Sequence, residues 1–235
     1  MSAERFLNGR VIARQPETGF RAGLDAVMLA AAVPDGAAAL ELGAGAGTAS
    51  LCLAARLKDI VITGLEIDPG LVALANENAG ANGVASRVRF AAANIFALPL
   101  EFKRDYDCVF LNPPFHGEGQ SPPDPERARA LMDDGTLPAW LEAGMKRVVS
   151  GGSLTAILRA DRLNEALAAL PLTGVTVLPL WPKAGEPARR ALVQARKGSR
   201  APFRLLQGLV LHEGTGAYTR DADAILRGES ALALG

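Results

Sequence analysis

Short apolar runs alternate with segments of helical periodicity along most of this chain. AAALEL (37–42), DIVITGLEI (59–67), RVRFAAA (87–93) and YDCVFL (106–111) predict four strands, the second of them buried and β-branched. TASLCLAARL and LVALANENAGAN predict the helices between them. The second opens on Asp68-Pro69, with Asp68 as its cap and the proline at its first position. Upstream, GRVIAR (9–14) predicts a short strand, and GFRAGLDAVMLAAAV a helix start with Asp25 as N-cap. Downstream, TLPAWLEAGMKRVV predicts a helix. Gly151-Gly152 separates it from the strand SLTAILR, and a helix follows from Asp161. GVTVLPLW (174–181) and RALVQAR (190–196) predict two more strands. Residues 116–128 (HGEGQSPPDPERA) predict a loop with no packed structure of its own. Strands alternating with helices in this way predict one doubly wound α/β domain around a parallel sheet.

Composition narrows the class. A chain of 235 residues, 49% hydrophobic, buries a core without a disulfide or metal staple. Its two cysteines, Cys52 and Cys108, lie in apolar runs and read as buried reduced thiols. The longest apolar run, Ala26 to Val33, is too short to span a bilayer, and MSAERFLNGR is not followed by the apolar stretch of a signal peptide. A soluble, cytoplasmic protein without a membrane partner is the expectation. No metal-ligand spacing is evident, so no metal is expected. Aromatic residues make up 5%, too few for a surface of many base-stacking platforms.

The net charge is zero, which by itself argues against a strongly basic nucleic-acid binder. The distribution reverses that. Residues 1–21 carry net +2, residues 22–182 net −6, residues 183–204 net +6 and residues 205–235 net −2. Arg189, Arg190, Arg196, Lys197 and Arg200 fall in the +6 segment and are candidates for gripping phosphate, unless they form only a solvated face.

Glu41-Leu42-Gly43-Ala44-Gly45-Ala46-Gly47 stands between a strand and a helix. The glycines permit a tight turn that a ligand can approach, and the helix behind it presents free N–H groups. The dinucleotide pattern G-x-G-x-x-G fits poorly, because Thr48 stands at its last position. G-x-G-x-G with an acid two places before it resembles the first motif of S-adenosylmethionine-dependent methyltransferases. A glycine turn without a ligand is the bland alternative. Glu66 ends the next strand, where a carboxylate can accept from ribose hydroxyls, and Ile67 follows it. Asn94-Ile95 ends the third strand. Methyltransferases commonly carry an acid there toward the adenine amino group; here the amide of Asn94 can both donate and accept.

Asn112-Pro113-Pro114-Phe115 directly follows the fourth strand. Two prolines fix two φ angles and remove two N–H donors. The Asn112 side-chain oxygen and the Pro113 carbonyl remain as acceptors, an array suited to a planar NH2 group. Phe115 offers a flat face for stacking. An Asn-Pro turn that merely ends a strand is the alternative. The motif resembles that of amino-methyltransferases acting on adenine N6, cytosine N4 or a protein glutamine amide. Asn112 then serves both substrate and cofactor. His116, next to the motif, can relay the proton released or stand in solvent. His212 is remote in sequence and has no assigned role.

GFRAGLDAVMLAAAVP, NPPFH, AWLEAG, GGSLTAILRADRL, ARKGSRAPFRLLQGLVLHEGTGAYT and AILRG together resemble the tRNA1(Val) (adenine-37-N6)-methyltransferase family over residues 8–228. The resemblance implies a Rossmann-like class I fold, with a mostly parallel seven-stranded sheet containing one antiparallel strand. It implies a core at 36–200, an N-terminal extension (1–35) on the cofactor side and a C-terminal extension (201–235). It also places Phe20–Asp25 near the cofactor. By the combined reading, Asp25, Glu41, Leu42, Gly43, Ala44, Gly45, Gly47, Glu66, Ile67, Asn94, Ile95 and Asn112 hold S-adenosyl-L-methionine. Asn112, Pro113, Pro114 and Phe115 form the catalytic motif, and the substrate is RNA, specifically a tRNA. A protein glutamine-N5 methyltransferase, a small-molecule amino-methyltransferase and an inactive scaffold are the competing readings.

Overall fold

The computed structural model describes residues 2–17, 21–114 and 136–234. Chain order begins with a hairpin of β1 (Ser2–Phe6) and β2 (Val11–Gln15), then α1 (Leu24–Ala32), β3 (Ala38–Leu42), α2 (Thr48–Arg56), β4 (Val61–Glu66), α3 (Pro69–Ala81), β5 (Val88–Ala92) and β6 (Tyr106–Leu111). It continues through α4 (Leu137–Met145), β7 (Val148–Arg159), α5 (Leu163–Ala169), β8 (Val175–Lys183), β9 (Arg190–Arg196), β10 (Arg204–Leu205), β11 (Leu209–His212) and α6 (Arg220–Leu226).

The main sheet runs β10-β8-β9-β7-β6-β3-β4-β5, with β11 also paired to β8. Strand β9 is antiparallel to both neighbours; the other pairs are parallel. The sheet therefore has nine strands rather than the seven expected. The two additions are short edge pieces of two and four residues, below the length at which alternation is readable. From β3 the chain winds outward through β4 and β5, then returns to the other side of β3 as β6. That reversal opens a crevice at the carboxyl ends of β3 and β6, the usual ligand position in such sheets. The glycine turn follows β3 and Asn112 follows β6, so the topology alone brings them together.

Both faces of the sheet are covered. Along β6, Cys108 and Phe110 enter the core shared with α1, α2 and α6, whereas Val109 and Leu111 enter the core beneath α4. Ala75 and Ala79 of α3 join the first core. Both cysteines are buried free thiols, as the sequence suggested, and burial pushes the Cys108 thiol up to about 11.

Three local expectations change. Asp25 is not the cap of α1: Gly23 holds that place without a side-chain bond, and Asp25 lies in the first turn. The helix expected over 136–149 ends at Met145, and Val148 already belongs to β7. Gly151-Gly152 does not separate helix from strand but lies inside β7. There the register against β6 jumps from Tyr106↔Val148 to Cys108↔Ser153. A Cβ on Gly152 would sit 2.6 Å from the Asp107 carbonyl oxygen, so the irregularity requires glycine. Asp68, by contrast, caps α3 as expected, accepting from Gly70 N–H and Leu71 N–H at 2.7 and 3.2 Å.

The termini join. Arg10 Nη2 donates to the carbonyls of Arg227 and Gly228 at 2.9 and 2.6 Å, and Leu232 N–H donates to Ala31. Among the described residues no helix is long and apolar enough to cross a membrane.

Candidate active site

Gly43, Gly45 and Gly47 all have left-handed backbones, at φ 70°, 54° and 83°. They differ in what they face. A Cβ on Gly43 would lie 2.8 Å from the Trp140 ring, and one on Gly47 2.6 Å from the Phe90 ring. A Cβ on Gly45 would meet nothing within 4 Å. The turn is thus packed from below by two aromatic rings and opens toward the crevice at its middle glycine. Gly43 N–H and Ala44 N–H are tied to the Leu65 carbonyl at 2.8 and 2.9 Å.

Two carboxylates brace this turn in different ways. Glu66 accepts from Gly45 N–H at 2.9 Å through one oxygen. Through the other it accepts from Ile67 N–H and Asp68 N–H at 2.8 and 3.1 Å. It links the turns after β3 and β4 and is only half-buried, so unused acceptor capacity remains for hydroxyls. Glu41 is 3% exposed. It accepts from the Ser50 N–H at 3.2 Å and from the Ser50 hydroxyl, holding the first turn of α2. The sequence placed Glu41 and Leu42 among the cofactor residues. The structure makes Glu41 a brace and puts the Leu42 side chain in the core, because both belong to a strand covered on each face.

Burial pushes the Glu41 carboxyl up to about 8, against the smaller opposing effect of Ser50. The folded protein therefore holds the neutral acid below that pH, while the unfolded chain ionises near the ordinary glutamate value of about 4.3. The unfolded state gains stability from ionisation as pH rises between those values. Stability is expected to fall by a few kcal/mol from pH 5 to pH 8 through this group, and Glu41→Gln to remove that slope. Denaturant titrations across the pH range check it. An equal slope in the variant excludes Glu41 as the source.

Asn94 Oδ1 accepts from Phe96 N–H at 2.8 Å, which leaves the NH2 end of the amide for other partners. Ile67 is exposed, whereas Ile95 is 8% exposed and packs in the core. Phe96, not singled out in the sequence, stands at the rim with its ring edge-on to Trp140 at 5.9 Å. Trp140, Phe90 and Asn78 were likewise missed, since each acts across elements distant in sequence. The Asn78 amide is buried. It donates to the carbonyls of Ala46 and Arg14, both at 3.0 Å, and accepts from Arg14 N–H, coupling α3 and the hairpin to the glycine turn.

Asn112 follows β6 across from this turn. Its Oδ1 is buried and has no hydrogen-bond partner among the described residues. Leaving a buried acceptor unpaired costs about 1–3 kcal/mol, so such an atom calls for an explanation. Pro113 is buried and Pro114 half-buried beside it. Phe20, Phe115, His116 and the whole of the loop expected at 116–128 lie outside the described residues, as does the stacking assigned to Phe115.

The basic segment does not form one surface. Arg190 pairs with Arg159 at the carboxyl end of β7, the end that carries the crevice, and Arg196 pairs with Ser153 near the opposite end. Arg196 Nε donates to the Gly151 carbonyl at 2.9 Å and Lys197 Nζ to the Val148 carbonyl at 2.7 Å. Arg196, Lys197 and Arg200 thus follow one strand away from the site, which corrects their placement with Arg189 and Arg190. A strand passing from one sheet edge to the other separates its two ends by about 20 Å. Arg190 Nε donates to Asp25 at 2.8 Å, fixing α1 to β9 beside the crevice.

Comparison with known proteins identifies this arrangement. The model of the methyltransferase small domain matches residues 23–159, from before α1 to the end of β7. The chain belongs to this methyltransferase family. A tRNA1(Val) (adenine(37)-N6)-methyltransferase of Porphyromonas gingivalis is 31% identical over 228 residues, covering 87% of this chain and 86% of its own. The enzyme of the same name from Aeromonas salmonicida is 30% identical, with 85% of each chain covered. Among solved structures, one described as a predicted O-methyltransferase of Agrobacterium tumefaciens superposes with TM-score 0.75 at 28% identity. It covers 89% of this chain and 98% of its own. TrmN from Thermus thermophilus superposes with TM-score 0.52 at 25% identity, covering 74% and 48%.

The methyltransferase has the class I Rossmann-like fold, and its family depends on S-adenosylmethionine. The residues present suit that cofactor. The open face at Gly45 is a cradle that any side chain would fill, and Glu66 faces it with acceptor capacity for hydroxyls.

Proposed function

We propose that this methyltransferase binds S-adenosyl-L-methionine at the glycine turn and methylates N6 of an adenine in RNA. The substrate is a tRNA, with adenine-37 of a valine tRNA the target that the relatives' names carry. The buried Asn112 Oδ1, without a hydrogen-bond partner among the described residues, carries this reading. Together with the Pro113 carbonyl it forms an acceptor pair fitted to the two hydrogens of an exocyclic amine. An O-methyltransferase acts on a hydroxyl, which has one hydrogen to give and leaves such a pair half used.

Glu66 would accept from the cofactor's ribose hydroxyls, with Gly45 beside it and Ile67, Phe96 and the Asn94 amide toward the adenine. When bound, the cofactor supplies an electrophilic methyl group on its sulfonium. Asn112 and Pro113 orient the amine. By accepting both hydrogens they raise electron density on the nitrogen, so the protein contributes positioning and electrostatics rather than a strong base. The target adenine has to be unstacked to reach Asn112, which an unpaired loop nucleotide allows at little cost.

Methyl transfer from labelled S-adenosylmethionine to unmodified tRNA, with nucleoside analysis, tests the reading. The expected product is N6-methyladenosine. Label appearing in protein glutamine, with none in tRNA, refutes it.

A further inference from the structure

At the carboxyl edge of the sheet, four strands from Asn112, two aromatic rings are stacked in the open. His212 ends β11, and its ring lies 4.6 Å from that of Tyr218 with 25° between the planes. Tyr218 is 43% exposed. The stack is fixed from several sides. His212 and Tyr218 form a β-bridge, His212 Nδ1 lies 3.1 Å from the Gly216 carbonyl oxygen, and the next residue, Thr219, bonds the Val210 carbonyl at 2.7 Å while capping α6. In register beside His212 stands Lys183 of β8. Arg189, on the return to β9, is exposed at the same edge. Neither the Lys183 nor the Arg189 side chain has an ion pair among the described residues, whereas Arg159, Arg162 and Arg190 are paired with Asp161, Glu165 and Asp25.

His212 has no role in the sequence motifs, and nothing in the methyl-transfer geometry uses it. A rigid, exposed aromatic pair costs little to order and offers a face to any base. Unpaired cations next to it offer contacts to the adjoining phosphates. The strand order β6-β7-β9-β8-β11 sets the distance to Asn112 at four strand spacings, about 19 Å.

We propose that the His212–Tyr218 stack, with Lys183 and Arg189, is a docking platform for single-stranded RNA. On it a base several nucleotides from the target adenine stacks on Tyr218 while its backbone is held by the two cations. The proposal rests on the RNA reading above. It accounts for how a chain of zero net charge and few aromatics holds RNA: by one small platform on the edge that carries the site, not by the whole basic segment.

The test is steady-state methylation of unmodified tRNA by the wild type, Tyr218→Ala, Tyr218→Phe and the Lys183→Gln/Arg189→Gln double variant. S-adenosylmethionine binding is measured alongside. Tyr218→Ala is expected to raise KM for tRNA about tenfold with kcat and cofactor binding little changed, and Tyr218→Phe to restore it, since the ring carries the contact. The double variant is expected to raise KM and to reduce the log–log salt dependence of binding by about two charges' worth. A KM within twofold of wild type in Tyr218→Ala and an unchanged salt slope in the double variant overturn the platform, while wild-type tRNA methylation leaves the RNA reading standing. If Tyr218→Ala fails to fold, the salt slope of the double variant decides alone. If the wild type labels protein and not tRNA, the RNA reading itself fails, and the platform with it.

Discussion

Asn112→Ala is expected to lower kcat for methyl transfer by about 10² to 10³-fold while leaving S-adenosylmethionine affinity close to that of the wild type. The substitution removes a buried oxygen that has no hydrogen-bond partner among the described residues, so no bond to that oxygen is lost there. Folding should not suffer, and relief of an unsatisfied acceptor offsets the small void. What is lost is the group that orients the amine and takes one of its hydrogens. Asn112→Asp, which keeps an oxygen at that point, should retain more activity than Asn112→Ala. Rapid-quench methylation and calorimetric cofactor binding separate the two effects. Full activity in Asn112→Ala overturns the mechanism. A loss confined to cofactor affinity makes Asn112 a cofactor residue only.

The second large effect concerns Phe90, the ring under the glycine turn. Gly47→Ala and Gly64→Ala both drive a methyl group into it. Overpacking of this kind costs about 1–3 kcal/mol, a fall of about 2–4 °C in Tm for each kcal/mol in a chain of this size. The two positions differ in backbone. Gly47 has φ 83°, which an alanine adopts at an extra cost of about 1–2 kcal/mol; Gly64 is in an ordinary strand. Combining each with Phe90→Ala separates the causes. The cost of Gly64→Ala should vanish in that background, because the added methyl then fills part of a void. Gly47→Ala should remain destabilising and should also weaken cofactor binding, since the turn has to keep its left-handed shape. Denaturant unfolding of the two glycine variants, Phe90→Ala and the two double variants measures both. Equal rescue of the two substitutions would show that φ at Gly47 carries no cost.

Where reading the sequence succeeded, the signal was short-range. Four strands, the cap at Asp68 and the glycine turn are each contained within a dozen residues, with periodicity or turn chemistry that allows one outcome. Where it went astray, a long-range contact decided. Asp25 looks like a helix cap until Arg190, 165 residues away, is seen to donate to it. Gly151-Gly152 looks like a loop until the Asp107 carbonyl presses on it within the sheet.

The basic segment shows the division most clearly. A count of charge along the chain identified residues 183–204 as the one strongly positive stretch, and that count is correct. The strand expected at 190–196 is β9, and its sheet pairing decides where the charges on either side of it finish. Because each strand residue advances about 3.3 Å, Arg189 and Arg190 finish beside the crevice, while Arg196, Lys197 and Arg200 finish at the far edge. The same sheet pairing brings His212 and Tyr218, which charge and motif left unassigned, to the edge that carries Asn112. The amino-acid sequence thus determined most of the central strands and helices and the glycine turn, since local chemistry suffices for these. Only the tertiary structure decided which polar groups face the crevice, which are spent on bracing, and which cations are left to meet a substrate. Those outcomes depend on strand order and register, which join residues that the chain keeps far apart.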